Sequence, residues 1–188
     1  RARSLTHEDG IVRLDGGDSG QVTVAGTIDA SGPASGQTGG RVSLLGESVT
    51  LTPTARIDVS GAGGGGTALI GGQFQGRGTE PTATTTLVAD RASISTDALT
   101  QGTGGTVIVW ADEDTQYAGT ISARGGTLGG RGGFVEVSGK QALDFTGRVD
   151  TTAPAGSTGT RLLDPRDITI SSAANATISA WPTFPGTA

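Results

Sequence analysis

The sequence predicts an all-β chain, a parallel β-helix (solenoid) of about six coils with roughly three short strands in each. Three observations carry that prediction: a five-residue pattern that recurs six times, a glycine followed by alternating apolar residues ahead of it, and a third alternating segment between the two in most units. A steady period of this length marks structural units that stack on one another.

The recurring pattern is Thr27-Ile28-Asp29-Ala30-Ser31, Arg56-Ile57-Asp58-Val59-Ser60, Ser93-Ile94-Ser95-Thr96-Asp97, Thr120-Ile121-Ser122-Ala123-Arg124, Arg148-Val149-Asp150-Thr151-Thr152 and Thr177-Ile178-Ser179-Ala180-Trp181. Its aliphatic second positions are separated by 29, 37, 27, 28 and 29 residues, so one unit carries an insertion. The second pattern is Gly20 to Val24, Gly40 to Leu44, Gly66 to Ile70, Gly105 to Val109 and Gly133 to Val137. Strict alternation is the signature of a half-buried strand. It points Val22, Val42, Val107 and Val135 inward, and Gln21, Arg41, Thr106 and Phe134 outward. The third segment appears as Ser48 to Leu51, Thr86 to Ala89, Thr115 to Ala118, Ala142 to Phe145 and Asp167 to Ile170. The first unit reads as a short one, passing from Val24 through Ala25-Gly26 straight into Ile28.

Strands joined by bends, each with its equivalent about one period away, fit parallel pairing between successive coils at a rise of roughly 4.8 Å. A β-sandwich or an up-and-down barrel favours two-residue Asn-Gly or Asp-Gly hairpins. Here the only asparagine is Asn175, and the glycine-rich connections at 31–40, 61–66 and 125–133 recur at one point of the repeat. The implied organisation is a leader with the end of a preceding coil at 1–19, a repeat domain at 20–181 with an insertion loop at 71–85, and a C-terminal tail at 182–188.

Composition narrows the function classes. The chain has 34 glycines, only 34% hydrophobic residues and no cysteine, which removes disulfides, a thiolate nucleophile and a cysteine-based zinc site. A net charge of −5 with scattered basic residues argues against nucleic acid as a partner. No run approaches the ~18 apolar residues of a spanning helix, so a soluble chain is expected.

From Gly104 to Ser171 the chain contains, in order, Val107-Ile108-Val109-Trp110-Ala111-Asp112, Gly119-Thr120-Ile121-Ser122-Ala123-Arg124, Gly133-Phe134-Val135-Glu136-Val137-Ser138-Gly139-Lys140 and Leu162-Leu163-Asp164-Pro165. These segments resemble the filamentous-haemagglutinin-like large exoproteins of Gram-negative bacteria, which are exported by two-partner secretion. The resemblance implies a right-handed coil, passage through an outer-membrane two-partner-secretion transporter, and a secreted, cell-surface stalk with an adhesive or structural role and no catalytic site. Its expected contacts are a surface glycan or protein of a host or neighbouring cell, with self-association as a further expectation. Two departures stand out. Such proteins often carry Asp-Tyr where this chain has Gln73-Phe74, and Arg161 occupies a strand position where an aliphatic residue is expected, which leaves the register of the last coil open. No counterpart of the Asn-Pro-Asn-Gly type motif of an N-terminal secretion domain occurs, so an internal or C-terminal portion of the stalk is expected.

Candidate sites are few. The insertion offers Gln73, Phe74, Gln75 and Arg77 as contacts to a sugar or a protein, against a reading in which it is a flap packing Phe74 over the helix face. Trp110 and Tyr117, on adjacent strands of one coil, form either an exposed aromatic platform or the cover of a core corner. No cofactor is expected. Asp112 and Asp114, within the acidic turn Asp112-Glu113-Asp114, and Asp15-Gly16-Gly17-Asp18 are the weak candidates for calcium, since calcium collects carboxylate and carbonyl oxygens. The same acidic turn, with Asp144 and Asp164, is what a carbohydrate-cleaving β-helix would use, because glycoside hydrolysis needs two carboxyls held about 5–10 Å apart. His7, the only histidine, lies in an unpatterned leader and reads as a solvated terminal residue. A self-assembling filament, joined through strand edges at the coil ends, is the remaining alternative.

Overall fold

In the computed structural model, residues 4–8, 10–164 and 167–170 are described. After a first strand, β1 (Ser4–Glu8), the chain winds through coils of three strands each. The first coil holds β2 (Ile11–Asp15), β3 (Gln21–Val24) and β4 (Thr27–Asp29), and the second β5 (Arg41–Leu45), β6 (Ser48–Leu51) and β7 (Arg56–Asp58). The third holds β8 (Thr67–Ile70), β9 (Thr85–Val88) and β10 (Ser93–Ser95), and the fourth β11 (Thr106–Ala111), β12 (Asp114–Tyr117) and β13 (Thr120–Ser122). The fifth consists of β14 (Phe134–Gly139), β15 (Ala142–Phe145) and β16 (Arg148–Asp150), and a sixth begins with β17 (Thr160–Leu163) and β18 (Asp167–Ile170). Equivalent strands stack into three sheets, ordered β1-β2-β5-β8-β11-β14-β17, β3-β6-β9-β12-β15-β18 and β4-β7-β10-β13-β16. Every pairing is parallel except β1 with β2, which is antiparallel. The chain is the parallel β-helix that its periodicity predicts.

Inside, like residues stack on like. The third sheet runs Ile28, Ile57, Ile94, Ile121, Val149 in register. The last predicted rung, Ile178, lies outside the described residues, as does the tail at 182–188. The first sheet contributes Leu14, Leu44, Ile70, Val109, Val137 and Leu163. Val22, Val42, Val107 and Val135 are all buried inward as their alternation requires. Two polar rungs, Thr86 and Thr115, enter the core because their hydroxyls donate to the carbonyls of Trp110 (2.7 Å) and Ser138 (2.8 Å) at the neighbouring corner. A buried hydroxyl without such a partner would be costly.

The glycines between the third and first sheets form a ladder of their own. Gly40, Gly66, Gly105, Gly133 and Gly159 stack over one another, and a Cβ on any of them would fall into the carbonyl oxygen of the residue one coil below. Those same carbonyls accept the next strand's first amide: Arg41 to Gly10 (2.8 Å), Thr67 to Gly40 (2.9 Å), Thr106 to Gly66 (2.9 Å), Phe134 to Gly105 (3.0 Å) and Thr160 to Gly133 (2.9 Å). Close backbone approach, rather than an unusual φ, is why side chains are excluded here.

The structure corrects three readings. Gln21–Val24 does not open a short first coil; it pairs with Ser48–Leu51 and is therefore a middle strand. The opening strand of that coil is Ile11–Asp15, in register with Arg41–Leu45, within the stretch 1–19 read as a leader with the end of a preceding coil. Gly20 misled the reading because it precedes alternating residues as Gly40 does; Gly10 precedes Val12, Arg13 and Leu14 in the same way, with only the exposed Ile11 out of pattern. The leader is also not unpatterned, since His7 lies in β1 opposite Val12. Arg161 sits level with Val135 and settles the last register: its guanidinium lies over the Phe145 ring, 5.7 Å from the centroid.

Substituting Gly105 by Ala is expected to destabilise the fold by more than about 3 kcal/mol, since backbone cannot move aside as a side chain can. Gly26→Ala, where a Cβ meets nothing within 4 Å, is expected to change stability by less than about 0.5 kcal/mol. Chemical denaturation of the two variants checks this pair; equal losses would contradict the ladder.

Candidate functional site

The insertion between β8 and β9 is closed at its base, where Ala83 N–H donates to the Gly71 carbonyl at 2.7 Å. From there it lies as a strap along the outer face of the first sheet. Its tip is a single 3₁₀ turn, Phe74–Gly76, with Gln75 in the left-handed region at φ 54°. That strained residue is held from two directions. Its backbone N–H donates to both carboxylate oxygens of Glu136 (3.2 and 3.1 Å), and its side-chain amide donates to Asp164 (3.1 Å).

Neighbouring contacts fix the rest. Phe74 meets Phe134 edge to face at 5.7 Å and 64°. Gly76 lies flat on the Trp110 indole, where a Cβ would come within 2.6 Å of the ring. The indole N–H in turn donates to Asp112 (3.3 Å), which also accepts from the Thr82 hydroxyl. At the other end Glu80 pairs with Arg13, whose second amino group reaches Asp15 at 2.8 Å. The strap thus touches residues from the first coil to the sixth. Beneath it Leu69, Ile108 and Trp110 form a buried cluster separate from the solenoid interior, with Phe134 packed against it.

Of the predicted contact residues, the structure brings Gln73, Phe74 and Arg77 to one groove with Leu69, Ile108 and Phe134. Gln75, Arg77, Trp110 and Asp112 border a second cleft, toward Lys140 and Asp164. The flap reading is the one that matches. The aromatic platform does not form: Trp110 is 5% exposed under the strap, and Tyr117 is 1% exposed inside the solenoid, stacked on Phe145 at 5.3 Å. Alternation decides this, because Tyr117 stands at the inward position between Val88 and Phe145.

The acidic turn is divided between uses. Asp112 is taken up under the strap, whereas Asp114 accepts from Gln116 (2.9 Å) and lies in register with Ala142, not with Asp144. Asp15 closes a turn by accepting from Gly17 N–H at 2.8 Å. Among the described residues no three His, Cys, Asp or Glu side chains gather as a metal site.

Sequence reasoning missed Glu136, Arg13, Glu80 and Thr82, and singled out Asp164 only as a carboxylate of the carbohydrate-cleaving alternative. A signal was present: Leu69, Ile108, Trp110 and Phe134 are apolar at outward positions in the coils that flank the insertion, and such a surface needs a cover. Glu136 is wholly buried beneath that cover. Burial pushes its carboxyl above the usual glutamate range; the Gln75 N–H opposes this and the nearby Asp164 reinforces it.

Because the folded state favours protonated Glu136, its contribution is complete below the pKa of an unfolded glutamate. It is lost as pH rises through the elevated folded value. Glu136→Gln is expected to flatten that loss and raise the midpoint of thermal unfolding at neutral pH; melting curves across pH 4–8 check it. Among the described residues the Tyr117 hydroxyl, which is buried, has no hydrogen-bond partner. Tyr117→Phe is therefore expected to leave stability unchanged or raise it by up to about 1 kcal/mol, and a loss of that size would reveal a partner.

No protein-family model matches the chain, and no curated protein matches it. A solved structure, the crystal structure of the HMW1 secretion domain from Haemophilus influenzae, is similar in fold, with a TM-score of 0.53 and 23% sequence identity over 82% of this chain and 48% of that one. This chain spans about half the length of that domain, and the likeness is one of fold: a parallel β-helix.

Proposed function

We infer that this chain is a β-helical segment of a secreted exoprotein, carried across the outer membrane by a two-partner-secretion transporter and held at the bacterial surface as a stalk. The observation that carries the reading is the strap, which covers one outer face from the first coil to the sixth and offers grooves along its sides. A stack of rigid coils provides reach, and grooves on its flank provide weak contacts that gain strength by multiplicity. Fold likeness to a secretion domain supports export. In this reading the chain turns over no substrate; Asp112 and the Glu136–Asp164 pair serve to hold the strap.

Two measurements test it. Beads coated with the purified chain should bind host or neighbouring bacterial cells saturably, with density-dependent avidity and without release of sugar or peptide. In the source bacterium, deleting the partner transporter should remove the chain from the cell surface and the medium. Surface display that persists without the transporter contradicts the export route, and catalytic release of product contradicts the structural reading.

A further inference from the structure

We propose that the groove between the strap and the first sheet binds an extended acidic peptide through a bulky apolar side chain flanked by carboxylates. Phe74, Phe134 and the nearly buried Leu69 and Ile108 line it together with Arg41 and Arg77. Phe74 lines the groove and remains 45% exposed, although the cluster it borders is buried. An exposed aromatic beside a preformed apolar floor suits a single anchoring side chain.

Charge selects the class of partner. Arg41 and Arg77 have no acidic partner among the described residues, and both belong to a chain whose net charge is −5. Three other arginines are engaged, Arg13 by Asp15 and Glu80, Arg124 by Asp150, and Arg56 by the carbonyls of Pro53, Ala55 and Arg91, whereas Arg91 and Arg148, beside and on the third sheet, do not line the groove. The carboxylates closest to the strap are also engaged, Glu136 and Asp164 by Gln75, and Asp112 by Thr82 and Trp110. Two guanidinium groups with unused donors in the lining of an apolar trough match carboxylates that flank an apolar side chain.

A peptide fits this groove better than a sugar. Apart from the arginines, its polar side chains are only those of Gln73 and Thr106, whereas a sugar ring brings a hydroxyl on nearly every carbon and each needs a partner once desolvated. The two phenyl rings meet at 64° and offer no common flat platform.

The inference rests on the surface-contact reading above but is tested apart from it. The probe is a fluorescein-labelled heptapeptide with Leu-Phe at its centre and Glu or Asp on both sides, titrated with the full chain and followed by anisotropy. Saturable binding is expected, weakened at least tenfold by Arg41→Glu and by Arg77→Glu and at least fivefold by Phe74→Ala. Arg148→Glu, on a distant exposed strand position, should stay within twofold. Circular dichroism confirms that each variant folds. The proposal is overturned by equal binding of the Gln/Asn version of the peptide, by absence of saturable binding, or by an acidic oligosaccharide binding where the peptide does not. Cell binding by beads that survives Arg77→Glu would sink the groove while leaving the stalk reading intact.

Discussion

The glycine ladder at the corner between the third and first sheets is the constraint on which the rest of the molecule depends. Each of its glycines sits where a side chain would overlap the carbonyl one coil below, and each such carbonyl accepts the amide that starts the next strand. The corner is therefore a continuation of the parallel hydrogen-bond ladder and not a slack connection. Once its spacing is set, successive coils have no freedom to slip. A one-residue shift would turn every inward side chain outward.

Register then determines both faces. Inside, the Ile28-to-Val149 column and the Leu14-to-Leu163 column bury aliphatic side chains, each worth roughly 1.5–3 kcal/mol. Outside, the same alignment sets Leu69 level with Ile108, with Phe134 packed against them, and leaves an apolar stripe that the strap covers. The strap is long enough to bridge coils, so Glu80 can reach Arg13 while at its tip Gln75 reaches Asp164 and Phe74 and Gly76 lie against Phe134 and Trp110. Its contacts combine a buried carboxyl, a strained Gln75 and two open grooves, and the surface chemistry of the chain is concentrated there.

Much of this was legible in the sequence. Period, alternation and the placement of glycines gave the coil, the three sheets and the Ile28, Ile57, Ile94, Ile121, Val149 column. The first coil was misplaced because Gly10 to Leu14 and Gly20 to Val24 both carry a glycine followed by alternation, and only the pairing partners show which of them opens the coil. Tyr117 was unresolved because an aromatic at a strand position reads equally well as core or platform until its neighbours Val88 and Phe145 are known. The aspartates of the recurring pattern had a role that spacing did not reveal. Asp29, Asp58 and Asp150 each accept from the backbone N–H two residues on, closing the turn out of the third sheet at 2.9 Å. Contacts such as Gln75 to Glu136, 61 residues apart, have no local signature at all.

Native-state hydrogen exchange read by mass spectrometry tests the central claim most directly, because it asks whether glycine-rich corners behave as ladder or as linker. The account predicts that the amides of Thr67, Thr106 and Phe134, which donate to the glycine carbonyls, exchange as slowly as those within β8, β11 and β14. Exchange of those corner amides at the rate of an open loop, with the strands still protected, would contradict it.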